Sequence, residues 1–224
     1  MTTVILFVLG AVVGSFLNVV SLRWGSGRTL GGRSSCPSCG KTLEWWELVP
    51  IVSFFVLRTK CRGCRAKISR QYPIVELWTG LIFATIPYIL IPVFCIYVVI
   101  AIHDLKHKII PNGLVYASIS LALIFRFISG GSLFDWLTGP MLMAFFGLIW
   151  LSSGGRAMGF GDAKLGFSIG LSLGAAEGFS AIVLAFWIGA ASSLSYIFFR
   201  RTGFLKNVKK LTMKSEVPFA PFII

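Results

Sequence analysis

Long apolar stretches alternate with short basic ones along this chain. Residues 1–22 carry no charge, enough to cross a hydrocarbon core of about 30 Å at about 1.5 Å per residue. The segment lacks a basic start and its apolar run exceeds that of a signal peptide, so it reads as a retained span. Residues 73–103 contain Glu76 as their only acid, with Pro87 and Pro92 near the middle. One straight helix of that length would overshoot a bilayer, so the pattern predicts two short antiparallel spans turning around residues 88–92. Residues 113–129 and 140–152 predict a fourth and a fifth segment, joined by the Gly- and Ser-rich loop GGSLFDWLTG. Residues 165–199 hold Glu177 as their only charge and predict two more, joined around residues 174–178. The closing VPFAPFII reads as the start of an eighth span that the chain does not complete. The run at 45–57 is interrupted by Glu47 and Pro50 and is too short to cross. It predicts packing on the membrane surface or inside a small folded insert.

The pattern predicts an all-α, polytopic helical membrane protein of seven to eight segments with a small cytoplasmic insert. Residues 1–22 form the first span, 23–72 the insert and 73–224 a transmembrane bundle. Composition agrees: 56% of the residues are hydrophobic and 13% charged, with a mean hydropathy of +0.83. These values exclude a soluble domain, a disordered chain and a disulfide scaffold. A net charge of +13 would suggest a nucleic-acid partner on a soluble chain. Here the lipid bilayer is the partner and nucleic acid is not, because Lys and Arg collect in the cytoplasmic loops of membrane proteins.

Ten of the 21 basic residues lie at 23–72, namely Arg23, Arg28, Arg33, Lys41, Arg58, Lys60, Arg62, Arg65, Lys67 and Arg70. Lys106 and Lys108, then Arg156 and Lys164, then the basic residues from Arg200 to Lys214 mark the same side. With the N-terminus outside, the parity is self-consistent. It places Asp104 and Asp162 at the cytoplasmic face, and Asp135 and Glu177 in loops at the other.

The insert carries Cys36-Pro-Ser-Cys39 and Cys61-Arg-Gly-Cys64. Two CxxC turns suit tetrahedral thiolate coordination of one zinc ion. Disulfide or redox chemistry, and thiols without a metal, remain the alternatives. Four thiolates would close the coordination sphere, so zinc would be structural rather than catalytic. Cys95, alone in an apolar span, reads as a small buried hydrophobe.

Only eight acids occur, and ionisable groups in or beside spans are costly unless functional. Asp104 lies in AIHDLKHKIIPN. Asp162 lies in GFGD, where Gly159 and Gly161 permit close approaches and conformations that a side chain would block, as in an active-site loop. Two carboxylates in one site do not both ionise readily, so one holds a proton while the other acts as a base toward water. That is aspartic-peptidase chemistry. Either aspartate alone would read as a snorkelling carboxylate paired with a lysine, Lys106 or Lys108 for Asp104 and Lys164 for Asp162. His103 and His107 lack a nucleophile at a telling spacing. Trp45 and Trp46 read as an interfacial anchor, and Glu76 as a contact to the insert or Arg70.

The motifs GSFLNVVSLR (14–23), the two cysteine knuckles, ISRQYPIVE (68–76), Asp104 followed by IPN (110–112), GFGDAK (159–164) and PFAPF (218–222) occur in one order. Together they resemble the type IV prepilin peptidase family, the prepilin leader peptidase/N-methyltransferases of GxGD type. The resemblance implies a membrane aspartic endopeptidase of the bacterial inner membrane, with Asp104 and Asp162 catalytic at the cytoplasmic face. It implies removal of the short basic leader of type IV prepilins or pseudopilins. It also implies methylation of the new N-terminus using S-adenosylmethionine, for which no glycine-rich donor loop is legible. A basic leader would not be drawn to a basic face by net charge, so recognition should be local, with Glu44, Glu47 and Glu76 as candidates. The chain departs from the family pattern in its very short connection between the second and third spans, in Glu47 where a shorter acid or an amide is expected, and in its missing eighth span. Two other classes compete: a proton-coupled membrane transporter with a regulatory zinc insert, and a membrane-anchored binding module whose aspartates only pair with lysines.

Overall fold

The structure is a computed structural model that describes residues 1–24, 29, 31–156 and 158–201. Arg28, the basic residues at 206–214 and the PFAPF motif lie outside the described residues. The described chain is helical: α1 (Thr2–Arg23), α2 (Val52–Val56), α3 (Gln71–Thr85), α4 (Ile91–His107), α5 (Asn112–Ser129), α6 (Leu133–Ser153), α7 (Phe160–Leu173) and α8 (Ala175–Arg201). No β-strand occurs among the described residues, only two isolated antiparallel bridges. Among the described residues, five helices are long and apolar enough to cross a membrane: α1, α4 with the short turn before it, α5, α6 and the start of α8. The chain is an all-α, polytopic helical membrane protein. At 15 and 14 residues, α3 and α7 rise about 21–23 Å and fall short of a full core. With them the described segments number seven.

Two compact units divide the chain at Val99 and Ile100, within α4. In the first unit α1 packs on α3 through glycines. A Cβ at Gly10 would meet the Thr79 carbonyl oxygen at 2.6 Å, and one at Gly14 the Thr79 hydroxyl at 2.9 Å. On α3, Gly80 in turn admits the Phe7 ring. Small residues four apart let helix backbones approach where the apolar effect gives no drive between them. Buried Asn18 of α1 accepts a hydrogen bond from the Gln71 side chain at 3.0 Å, bridging the same two helices.

In the second unit α7 is the central element, with Ala163, Leu165, Ile169 and Leu171 fully buried. A Cβ at Gly170 would lie 2.8 Å from Gly139 of α6, and one at Gly166 2.7 Å from the Phe146 ring. The far end of α7 is held by Arg126 of α5, whose Nε–H donates to the Leu171 carbonyl at 2.8 Å. Asp135 accepts from the Ala175 N–H at 3.0 Å, capping α8. It also closes a capping box with Ser132 at the start of α6.

Three boundaries differ from the pattern. α6 begins at Leu133 rather than 140, because the Ser132/Asp135 capping box starts the helix ahead of Pro140. That proline removes one internal N–H without ending the helix. Asp135 and Glu177 therefore stand in first turns of helices, not in loops. α7 begins at Phe160, which moves Asp162 from a loop into the first helical turn. The break between the last two helices is Gly174 alone, at φ 84°.

Candidate active site and thiolate cluster

Asp104 lies near the end of α4 and Asp162 in the first turn of α7, 5% and 7% exposed. Gly159 precedes the helix with an ordinary extended φ of −77°. Its smallness is therefore not needed for a left-handed turn. At Gly161 it matters more: a Cβ there would lie 3.1 Å from the Ile110 side chain, which would have to give by a few tenths of an ångström. The GxGD turn thus comes close to the connection that follows Asp104. Asp162 stands ahead of Leu165, where the apolar segment opens. Burial first, and then the charge of Asp104, push its carboxyl up from 3.8 to about 6. The two carboxyls are therefore near enough to oppose each other's ionisation.

Lys164 is held by other partners. Its ammonium donates to the Asn112 side-chain oxygen at 3.0 Å and to the Tyr116 hydroxyl at 3.3 Å. It also lies 5.2 and 5.4 Å from the ring centroids of Tyr116 and Phe160. Phe160 in turn packs on Trp150 at 5.2 Å. This clamp joins IPN to GFGDAK and keeps the lysine, two residues beyond Asp162, engaged. The imidazoles of His103 and His107 stack on each other at 4.5 Å.

The insert brings its four thiols together. The sulfurs of Cys36, Cys39, Cys61 and Cys64 all lie within 4.8 Å of one another, with Cys36 and Cys64 3.8 Å apart. Sulfurs at the corners of a tetrahedron about a zinc ion, at roughly 2.3 Å each, would be roughly 3.8 Å apart. The cluster fits a metal ion of that kind. The two knuckles repeat each other 25 positions apart. Cys36 N–H donates to Lys41 O and Cys61 N–H to Ala66 O, each at 2.9 Å, and the bridges Ser35↔Thr42 and Lys60↔Lys67 close them. Gly40 and Arg65 occupy the same left-handed position, at φ 72° and 57°. Backbone N–H groups of Ser38 and Cys39 favour the Cys36 thiolate and bring its pKa down to about 6. Cys95 is half-buried in α4.

The three glutamates are engaged within the first unit. Glu47 is buried, accepts from the Glu44 N–H at 2.9 Å and pairs with Lys41 at 3.5 Å. Glu44 completes that capping box with its own side chain. Glu76 is buried and accepts from the Ile51 N–H at 2.7 Å. It contacts the insert, as one sequence expectation had it, rather than Arg70. Trp45 is 77% exposed, whereas Trp46 lies under the Arg62 guanidinium at 4.9 Å.

Sequence reasoning passed over two features. Arg126 lay inside an apolar segment, where one basic residue passes for a snorkelling side chain. The Gly10 and Gly14 pair was visible as two glycines four apart in an apolar helix.

Residues 8–90 match the family described as "Bacterial Peptidase A24 N-terminal domain". Residues 89–194 match the "Type IV leader peptidase family". A Myxococcus xanthus protein called prepilin leader peptidase/N-methyltransferase is 37% identical over 76% of this chain, although the match spans only 56% of that protein. Proteins of the same name from Bacillus subtilis and Pseudomonas aeruginosa are 32% and 30% identical. Those matches cover 98% and 96% of this chain, and 89% and 84% of the relatives. No solved structure matches it. Nothing in these likenesses supports a transporter. With both family regions matched in tandem and near-complete coverage by the Bacillus relative, the chain belongs to the type IV leader peptidase family.

Proposed function

We propose that this chain is a membrane aspartic endopeptidase that removes the short basic leader from type IV prepilins or pseudopilins, with Asp104 and Asp162 as its catalytic pair. The observation that carries the reading is the raised carboxyl of Asp162 opposite Asp104 in a buried site. Up to about pH 6 the pair favours a single charge, with the shared proton on Asp162. Ionised Asp104 takes a proton from water as the water oxygen attacks the scissile carbonyl carbon. Asp162 gives its proton to the carbonyl oxygen; as the C–N bond breaks, the leaving amine is protonated from Asp104 and Asp162 takes back a hydroxyl proton while the carbonyl re-forms.

Zinc is the metal that suits the Cys36, Cys39, Cys61 and Cys64 cluster. Bound there it would lock the two knuckles together, with no open position for a water. Methylation of the new N-terminus, with S-adenosylmethionine as donor, rests on the relatives' printed name alone. The insert and the aspartate pair face the cytoplasm of a bacterial inner membrane in this reading, supported by the basic residues of 23–72. Substrate contact is not built on Glu47 or Glu76, whose carboxylates already have internal partners.

The test is cleavage of a basic-leader prepilin in liposomes by the full chain and by folded Asp104→Asn and Asp162→Asn variants. Each substitution should lower the rate by at least about 10²-fold while zinc content stays unchanged. Near-normal cutting by either variant would overturn the paired mechanism.

A further inference from the structure

The insert holds a second polar feature that the peptidase chemistry does not use. An open pocket of about 680 Å³ lies beside the second knuckle, lined by Trp46, Arg58, Lys60, Arg62 and Arg65 among others. No acidic residue lines it. Among the described non-glycine residues with positive φ, Arg58 and Arg65 line it. Side-chain-bearing residues are strained in that region of backbone space, and such strain marks functional sites more often than neutral ones. The two knuckles make the point locally. Where the first uses Gly40, the second keeps Arg65 at the same turn position, so a charge is retained where glycine would be relaxed.

Immediately before this cluster, α2 carries Val52, Phe55 and Val56 at 56%, 68% and 65% exposure. Ile51, just ahead of them, is tied by its N–H to Glu76 of α3. Glu76 is the sixth residue of α3, about 7.5 Å along its axis. Exposed apolar side chains followed by basic ones a few residues on are the pattern of an interfacial segment.

We propose that the insert binds anionic phospholipid of the surrounding bilayer. Val52 and Phe55 lie against acyl chains, and the phosphate is received in the pocket of Arg58, Lys60, Arg62 and Arg65, which Val56 joins to them. Trp46, covered by the Arg62 guanidinium at 4.9 Å, forms the pocket's apolar wall. Guanidinium groups suit phosphate oxygens through paired N–H donors. The headgroup would neutralise part of the insert's excess positive charge, and the strength of the contact would depend on lipid composition.

The full chain is placed in nanodiscs of pure phosphatidylcholine, and in others with one lipid in three replaced by phosphatidylglycerol. Amide hydrogen exchange is then read at 52–65. Exchange in the wild type should be slower by about tenfold in the anionic discs. Arg58→Gln with Lys60→Gln leaves the Trp46 contact and the cysteines untouched, and should reduce that difference to under about threefold. Phe55→Ser keeps every charge and should speed exchange in both lipids. Equal exchange of the wild type in the two lipids overturns the proposal, as does an anionic-lipid effect that survives the double substitution. Inorganic phosphate giving the same protection in lipid-free micelles would assign the pocket to a soluble phosphate instead, and would overturn the lipid.

Discussion

The Ile51 backbone N–H donates to a Glu76 carboxylate oxygen at 2.7 Å, tying the residue ahead of α2 to α3. Ile51 has a positive φ of 63°, so the turn is strained and this bond helps to hold it. Glu76→Gln keeps an oxygen acceptor and should change stability little. Glu76→Ala leaves a part-buried N–H without its acceptor and should cost about 1–3 kcal/mol. Limited proteolysis of the insert in detergent checks this, with faster cutting near 51–57 in Ala but not in Gln. A substrate-reading Glu76 would behave differently: Gln would raise KM without loosening the insert.

The knuckles separate a metal effect from a backbone effect. Gly40 stands at φ 72°, so Gly40→Ala should weaken the first knuckle by about 1 kcal/mol, while Arg65→Gly should not weaken the second. Competition with a zinc chelator reads both. Removing the metal, or substituting Cys61→Ser, should free the remaining thiols toward a thiol reagent. The aspartates should remain in place, because they belong to the other compact unit.

Arg126 and Asp135 meet over Gly174, where a Cβ would lie 2.7 Å from the Asp135 Oδ1 and 3.1 Å from the Arg126 guanidinium. Arg126→Met would remove the donor to the Leu171 carbonyl. A loss of about 1–3 kcal/mol is expected from the carbonyl left unpaired, read as a lower midpoint of thermal unfolding. Gly174→Ala should act on the same clasp, since its φ of 84° also disfavours a side chain. The double variant should therefore cost less than the sum of the two.

The apolar blocks located the helices well because lipid demands long uncharged runs, and the end of α5 at Ser129 agrees with the pattern to the residue. Errors arose where helix starts are set by local hydrogen bonds rather than by hydropathy. The Ser132 and Asp135 capping box lay hidden in what looked like a loop, and the turn at Gly159 looked like more loop than it is. Cysteine spacing was enough to foresee the thiolate cluster. The hold of Asn112 and Tyr116 on Lys164 was not foreseeable. It joins positions some fifty apart, and only packing shows that this lysine turns from Asp162 toward α5.

Asp162 also couples activity to stability. Its carboxyl has an ordinary value of 3.8 and a folded value of about 6. Between those two pH values the unfolded chain releases the proton while the folded chain keeps it, so the folded state binds more protons. The stability from the protonated form is therefore complete below about pH 4 and is lost as pH rises through 6. The loss reaches about 2–3 kcal/mol at pH 7. Asp162→Asn cannot ionise and should not show it. Its thermal midpoint should match the wild type near pH 4 and exceed it near pH 7, while cleavage is abolished at both. A midpoint difference that does not change with pH would mean that the folded site does not resist this charge, and the proton placement in the cleavage mechanism would have to be reversed.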